Sequence, residues 1–330
     1  MKERDSNFEL CRLVCMFYIV FYHLIIHVPG LYEAMPWARP LRTIFHIGVV
    51  VFVMISGYYG IRRSWKGVLK LILMVAFYNL LGLLAAHFLY SQPFESSQLL
   101  RIVLPISHGG YWFITSYVIL YLIAPYVNIV LQGLSKKEYW IYLGILALLV
   151  CYLGGIHDVK ACDGRGILAF VLSYSIGFFI HRFYPPGVKF PVAGNHPFAL
   201  YVAVCIVIYL LVAFAPEKVS KGVNYLSFGY NEIGLYIMSV LLFLSFQKMR
   251  IRSRIINYAA LSTLAIYLIH ENKFINELVV YRNYETLSNW FGGGAWGQLV
   301  FHLLFCLAVT IACIAIDQIR LLFFKAVKLR

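Results

Sequence analysis

Apolar runs of about twenty residues recur from one end of this chain to the other, while Lys, Arg, Pro and Gly gather in the short stretches between them. A run of that length matches the hydrocarbon thickness of a bilayer, and there every backbone N–H and C=O must be satisfied within its own segment. The chain therefore reads as an all-α, polytopic integral membrane helix bundle. Segmentation gives ten spans, at 8–29, 43–61, 68–90, 111–131, 138–157, 166–183, 197–215, 229–247, 255–275 and 297–323. No connection exceeds roughly twenty-five residues, too few to bury a core outside the membrane. Residues 1–330 are thus expected to form a single transmembrane domain, with any site built among spans and short loops.

The opening MKERDSNFEL has the charge of a secretory leader, but the apolar run behind it is too long and lacks a small-residue cleavage site. It reads as a retained first span. Placing the N-terminus inside assigns nineteen of the 28 Lys and Arg residues to the cytoplasmic side, Lys2, Arg4, Lys328 and Arg330 among them. An even number of spans then makes both termini cytoplasmic, and a multi-pass protein of a bacterial plasma (inner) membrane is the expectation. The formal charge of +14 is dispersed over juxtamembrane clusters, which argues for topology rather than nucleic acid as its cause. Seven cysteines, mostly within spans, give no disulfide framework. Cys11 and Cys15 read as small packing residues, and Cys151 and Cys162 are the one pair placed to bridge.

Within the first span, Arg12 and His23 lie eleven residues apart. On a helix that is three turns plus about 20°, so both share one face, separated by about 16 Å of rise. Ionisable groups at membrane depth are costly and mark function by default. Alone, Arg12 reads as an interface anchor and His23 as a packed histidine; their common face is what points to a site. His23 suits a general base by type. His23 and His27 stand one turn apart, a spacing used for metal, which His46 or Glu33 could complete only if folding brings them close; no metal is expected. After the second span, SGYYGIRRSWKGVLK places Arg62, Arg63, Lys66 and Lys70 at the inner surface, as a stop-transfer signal or a phosphate site. Eight of the ten histidines map to the outer half. The outer connections SQPFESSQLLRIVLPISHGG and NELVVYRNYETLSNWFGGGAWG look structured enough to cover a cavity or touch an acceptor.

The chain resembles the acyltransferase family 3 of integral membrane proteins over nearly its whole length. Arg12 and His23 match the Arg-x10-His pattern of that family's first span. GVVVFVMISGYY with Ser56 and Gly57, the basic stretch after it, GGYWFITSYVILYLIAPYVN and AIYLIHEN with His270 match in order and spacing. The resemblance implies a ten-span protein that moves an acyl group, commonly acetyl, from a cytoplasmic donor to a glycan across the membrane. The chain would be similar to the stand-alone members, which lack an extracellular esterase-like domain. FELCR departs from relatives that carry a small residue before the arginine, which bears on donor fit.

The implied chemistry needs no bound cofactor, only acetyl-CoA or another acyl-CoA as donor and a glycan hydroxyl as acceptor. Arg62, Arg63, Lys66 and Lys70 would hold donor phosphates and Arg12 would steady the entering arm. His23 would deprotonate the acceptor or carry the acyl group itself. Ser56, Tyr58, Tyr111 and Trp112 are candidate acceptor or support residues, Tyr22 a further guess at an oxyanion donor, and His270 and Glu271 would orient His23 or bind sugar. Asp317 and Arg320 read as an inner-leaflet ion pair. Membrane lipid and glycan-assembly proteins are the expected partners. A glycan or lipid-linked sugar transporter is the rival reading, since it too needs intramembrane polar groups, yet no paired helix breaks of the transporter kind stand out around Pro105, Pro125 or Gly154 and Gly155.

Overall fold

The computed structural model describes residues 5–326 apart from 192, 217, 218, 220, 221 and 223–228, and not the side chain of 97; Lys2, Arg4, Lys328 and Arg330 lie outside the described residues. Among these residues helix is the regular element throughout, with one isolated bridge between Phe190 and Gly194. In chain order the helices are α1 (Ser6–His27), α2 (Leu31–Ala34), α3 (Ala38–Phe45), α4 (Gly48–Tyr59), α5 (Trp65–Tyr90), α6 (Ser96–Val103), α7 (Trp112–Gly133) and α8 (Lys136–Ala147), which a π-helical stretch Leu148–Ile156 prolongs. There follow α9 (Ile167–Phe183), α10 (Pro197–Phe214), α11 (Ile233–Lys248), α12 (Arg254–Ala259), α13 (Thr263–His270), α14 (Arg282–Phe291) and α15 (Gly294–Ala326).

Among the described residues, eight segments are long and apolar enough to cross a bilayer: α1, α3 with α4, α5, α7, α8 with its π stretch, Lys160–Phe183, α10 and α15. The expected eighth and ninth spans are shorter. Helix α11 has 16 residues, and the ninth segment is split into α12 and α13 by a 3-10 turn at Ala260–Ser262. It also ends at His270 rather than 275, because the Asn272 side chain accepts from Phe274 N–H and donates to Tyr78 O, turning the chain off the helix axis. The second span begins earlier than expected, at Ala38. Both connections expected on the outer side carry helices, α6 and α14. Cys151 and Cys162 are free thiols, so no bridge forms there, while Cys11 and Cys15 are fully buried.

Helix α1 is the hub, packed against α3, α4, α11, α12, α13 and α15. Val28 ends it in extended geometry, as a residue preceding proline prefers. Burial differs widely among the spans. In Ala38–Tyr59, 72% of the most apolar window is buried; in α10 the share is 17%, a side wall left for lipid.

The closest approach is between α4 and α9. A Cβ on Gly57 would meet the Tyr174 carbonyl oxygen at 1.9 Å, and one on Gly177 would meet the Met54 carbonyl oxygen at 1.9 Å. This reciprocal small-residue contact lets two backbones touch, the packing device that substitutes for hydrophobic drive inside lipid. It fixes α4, and with it Ser56, against the rest of the bundle. Gly57→Ala should therefore cost at or above the top of the usual overpacking range of about 1–3 kcal/mol, read as a fall in the thermal midpoint of purified protein. Gly144→Ala on α8, where nothing lies within 4 Å, is the control and should be neutral or stabilising. Equal midpoints for the two variants would remove this contact from the account.

Candidate active site

Five residues of α1 fall on one stripe: Glu9, Arg12, Met16, Ile19 and His23, at alternating steps of three and four. All five line a single cavity of about 360 Å³. Its length along α1 is about 21 Å for fourteen residues. Val49, Phe52 and Ser56 of α4, Lys70 and Met74 of α5, and Trp112, Phe113 and Tyr117 of α7 form further walls, and the broken α12–α13 segment and α15 close it. Because successive helices run in opposite directions, Arg12, Ser56, Lys70 and Arg320 gather toward one end, and His23, Val49 and Trp112 toward the other.

At the cationic end Arg12 pairs with Glu9 at 2.9 Å. Arg320 Nε and Nη2 grip Asp317 at 2.6 and 2.7 Å, and both residues are buried. Tyr78 donates its hydroxyl to the same carboxylate, and Arg320 Nη2 also reaches the Leu261 carbonyl at 3.4 Å, bracing the 3-10 break. The expected ion pair is thus present, and its Arg320 lines the cavity. Lys70 shares that wall. Arg62, Arg63 and Lys66 do not: they are exposed on the Gly60–Ser64 stretch and the first turn of α5, with the Arg63 guanidinium 5.9 Å from the Trp65 ring.

At the other end His23 Nδ1 lies 2.9 Å from His270 Nε2 and 3.4 Å from Glu271 Oε1. The tautomers follow from the partners. His270 Nδ1 is 2.6 Å from the Ile266 carbonyl, which only accepts, so in the neutral ring Nδ1 carries the proton and Nε2 is the acceptor. His23 Nδ1 must then donate, toward His270 and the Glu271 carboxylate alike. The lone pair of His23 is left on Nε2, which has no hydrogen-bond partner among the described residues. Glu271 is fixed in turn: Tyr281 donates to Oε1 at 2.5 Å, and Lys273 Nζ and His27 Nε2 stand 3.5 and 3.8 Å from Oε2.

His23, His270 and Glu271 also present ligand atoms within 4.8 Å of one another, close enough to ask whether a metal would fit. Two nitrogens bound to one tetrahedral zinc at about 2.0–2.1 Å stand roughly 3.3 Å apart. The observed 2.9 Å is a hydrogen-bond length, so the donor set fits a proton better than an ion. His46, one of the two groups considered to complete a site with His27, stacks on Tyr22 at 4.5 Å, and Glu33 is exposed on α2.

The other candidates scatter. Ser56 donates to Phe52 O at 3.2 Å and lies 3.0 Å from the Tyr117 hydroxyl. Trp112 lines the cavity, its ring 5.0 Å from Tyr230 and 5.5 Å from the Arg165 guanidinium. Tyr111 is buried and donates to the Leu268 carbonyl at 3.0 Å; Tyr58 is buried outside the cavity. Sequence reasoning missed Tyr267, whose ring is 6.1 Å from that of His23 and whose hydroxyl has no hydrogen-bond partner among the described residues. Its signal was available, since it sits one helical turn before His270. Tyr281 had none, because an irregular turn delivers it.

The buried pair makes a prediction that needs no assay. Asp317→Ala strands the Arg320 guanidinium and should cost about 3–5 kcal/mol in unfolding experiments on purified protein. An unchanged midpoint would mean that the cavity hydrates Arg320 well enough to replace its partner.

Among known families, the acyltransferase domain model matches residues 5–317. No curated protein and no solved structure matches the chain. The match takes in α1 with Arg12 and His23, the glycine contact of α4, and the α13 residues that hold His23. The chain belongs to acyltransferase family 3 and is a membrane acyltransferase.

Proposed function

We propose that the chain, as one domain over 1–330, is an acyl-CoA-dependent O-acyltransferase that moves an acetyl group from cytoplasmic acetyl-CoA to a hydroxyl of a glycan on the far side of a bacterial plasma membrane. The observation that carries this reading is the lone pair on His23 Nε2, fixed by bonds that His23 Nδ1 makes to His270 and Glu271. A base needs that nitrogen bare and its ring held, and an orienting partner on the opposite nitrogen supplies both.

The acceptor hydroxyl gives its proton to His23 Nε2 while its oxygen bonds to the thioester carbonyl carbon. The resulting oxyanion is met by the Tyr267 hydroxyl, in a site where few other dipoles compete. As the C–S bond breaks, the imidazolium returns its proton to the departing thiolate, and Glu271 stabilises the charged ring between these events. Arg12, Lys70 and Arg320 form the end at which an anionic donor enters, and the cavity's length of about 21 Å suits a pantetheine arm. Arg62, Arg63 and Lys66 act before it, as exposed charges that attract donor phosphates. In the alternative course His23 Nε2 takes the acyl group first and passes it on.

Purified protein given labelled acetyl-CoA should lose thioester in step with acetylation of glycan, with the transferred mass identified on the acceptor. His23→Ala should abolish transfer while elution and thermal midpoint stay near wild type. Tyr267→Phe should lower kcat by about 10²-fold with the donor KM little changed, as loss of one oxyanion donor does. Arg12→Gln and Lys70→Gln should instead raise the donor KM. Normal transfer by a folded His23→Ala protein would dismiss the base, and glycan movement without thioester loss would restore the transporter reading. Label on the protein itself in the absence of acceptor would select the covalent course.

A further inference from the structure

A second concavity, about 880 Å³, opens at the Arg12 end of the bundle and shares no lining residue with the His23 cavity. Four separate segments wall it: the start of α1, Tyr58 near the end of α4, the turn after α9, and the end of α11 with the stretch that follows. Phe8 and Tyr58 also line it, with ring centroids 5.0 Å apart and Phe243 5.0 Å from Phe8.

Charge in this basin is one-sided. Lys189, Lys248, Arg250 and Arg252 line it against a single carboxylate, Asp5, and that carboxylate accepts from the Tyr59 hydroxyl at 2.7 Å. The walls are held in place. Lys248 Nζ donates to the Gly194 carbonyl at 2.8 Å, pinning the turn that carries Lys189. Ser253 N–H donates to Ser6 Oγ at 3.0 Å, tying the arginine-bearing stretch to α1. Arg250 and Arg252 both line the basin from the stretch that follows Met249, which is itself extended. A topology signal explains which side of a membrane such cations occupy; it does not require them to ring a hollow.

Guanidinium groups bind phosphoryl oxygens in bidentate fashion. We propose that this basin is a binding site for a phosphoryl group, supplied either by a soluble nucleotide or by an anionic phospholipid headgroup. The site stands whether or not His23 transfers an acyl group, and binding is measured without acyl transfer.

The full chain in micelles is titrated calorimetrically with ADP, and in nanodiscs its thermal midpoint is compared between phosphatidylcholine alone and mixtures with phosphatidylglycerol. Arg250→Gln with Arg252→Gln should weaken the interaction at least about tenfold, as expected for loss of charged hydrogen bonds, and added salt should weaken it further. Loss in the ADP arm assigns the nucleotide, and loss of lipid-dependent stabilisation assigns the headgroup. Lys137→Gln, exposed on α8 and outside the basin, should leave both arms unchanged. If the double variant fails to fold, Lys189→Gln on the opposite wall carries the same comparison. No ADP heat and no phosphatidylglycerol effect in wild type, or effects that survive in the variants, would overturn the site.

Discussion

A histidine ring inside a helix bundle has two polar nitrogens and little water to satisfy them, so what each one faces decides what the ring can do. In this protein His23 Nδ1 is taken by His270 and Glu271, two residues at the end of another helix. That contact does three things at once. It joins α1 to α13 across the bundle, sets the tautomer, and leaves Nε2 as the nitrogen available to a reactant. The supports behind it reach further: Ile266 fixes His270 from its own helix, and Tyr281 brings in the loop that follows.

The same economy applies along the cavity. A hollow lined by cations at one end would be costly in hydrocarbon unless each charge had a partner or access to water. Glu9 answers Arg12, and Asp317 answers Arg320. The break at Ala260–Ser262 frees backbone groups beside the cavity, and Arg320 meets one of them. Irregular backbone in a span is tolerated where it borders protein or a hydrated space, and it does so here. The tight α4–α9 seam keeps the opposite wall rigid, so the cavity's width rests on glycine contacts as much as on its polar lining.

Much of this was legible in the sequence, for identifiable reasons. Spans announce themselves through length and hydropathy, and helical spacing alone put Arg12 and His23 on one face. Family resemblance singled out Ser56, Gly57 and His270. What the sequence did not disclose depends on partners far along the chain. That Lys70 joins Arg12 while Arg62, Arg63 and Lys66 stay exposed depends on where α5 begins and how it leans. Tyr281 reaches Glu271 through a π-helical turn that no periodicity signals. The shortened ninth helix owes its end to Asn272, whose turn-forming bonds cannot be told from an ordinary interfacial asparagine before the fold is seen. The basic basin was visible only as scattered positive charge until four segments closed around it.

The proposed transfer requires a donor thioester to reach His23, and that is open to direct observation. An experimental structure with a non-hydrolysable acetyl-CoA analogue measures it. The account predicts the pantetheine arm along the stripe from Arg12 to His23, with the acyl carbon close enough that an acceptor oxygen beside it would lie within about 3.5 Å of both that carbon and Nε2. An arm seated elsewhere, or packed side chains separating the acyl group from His23, would contradict it.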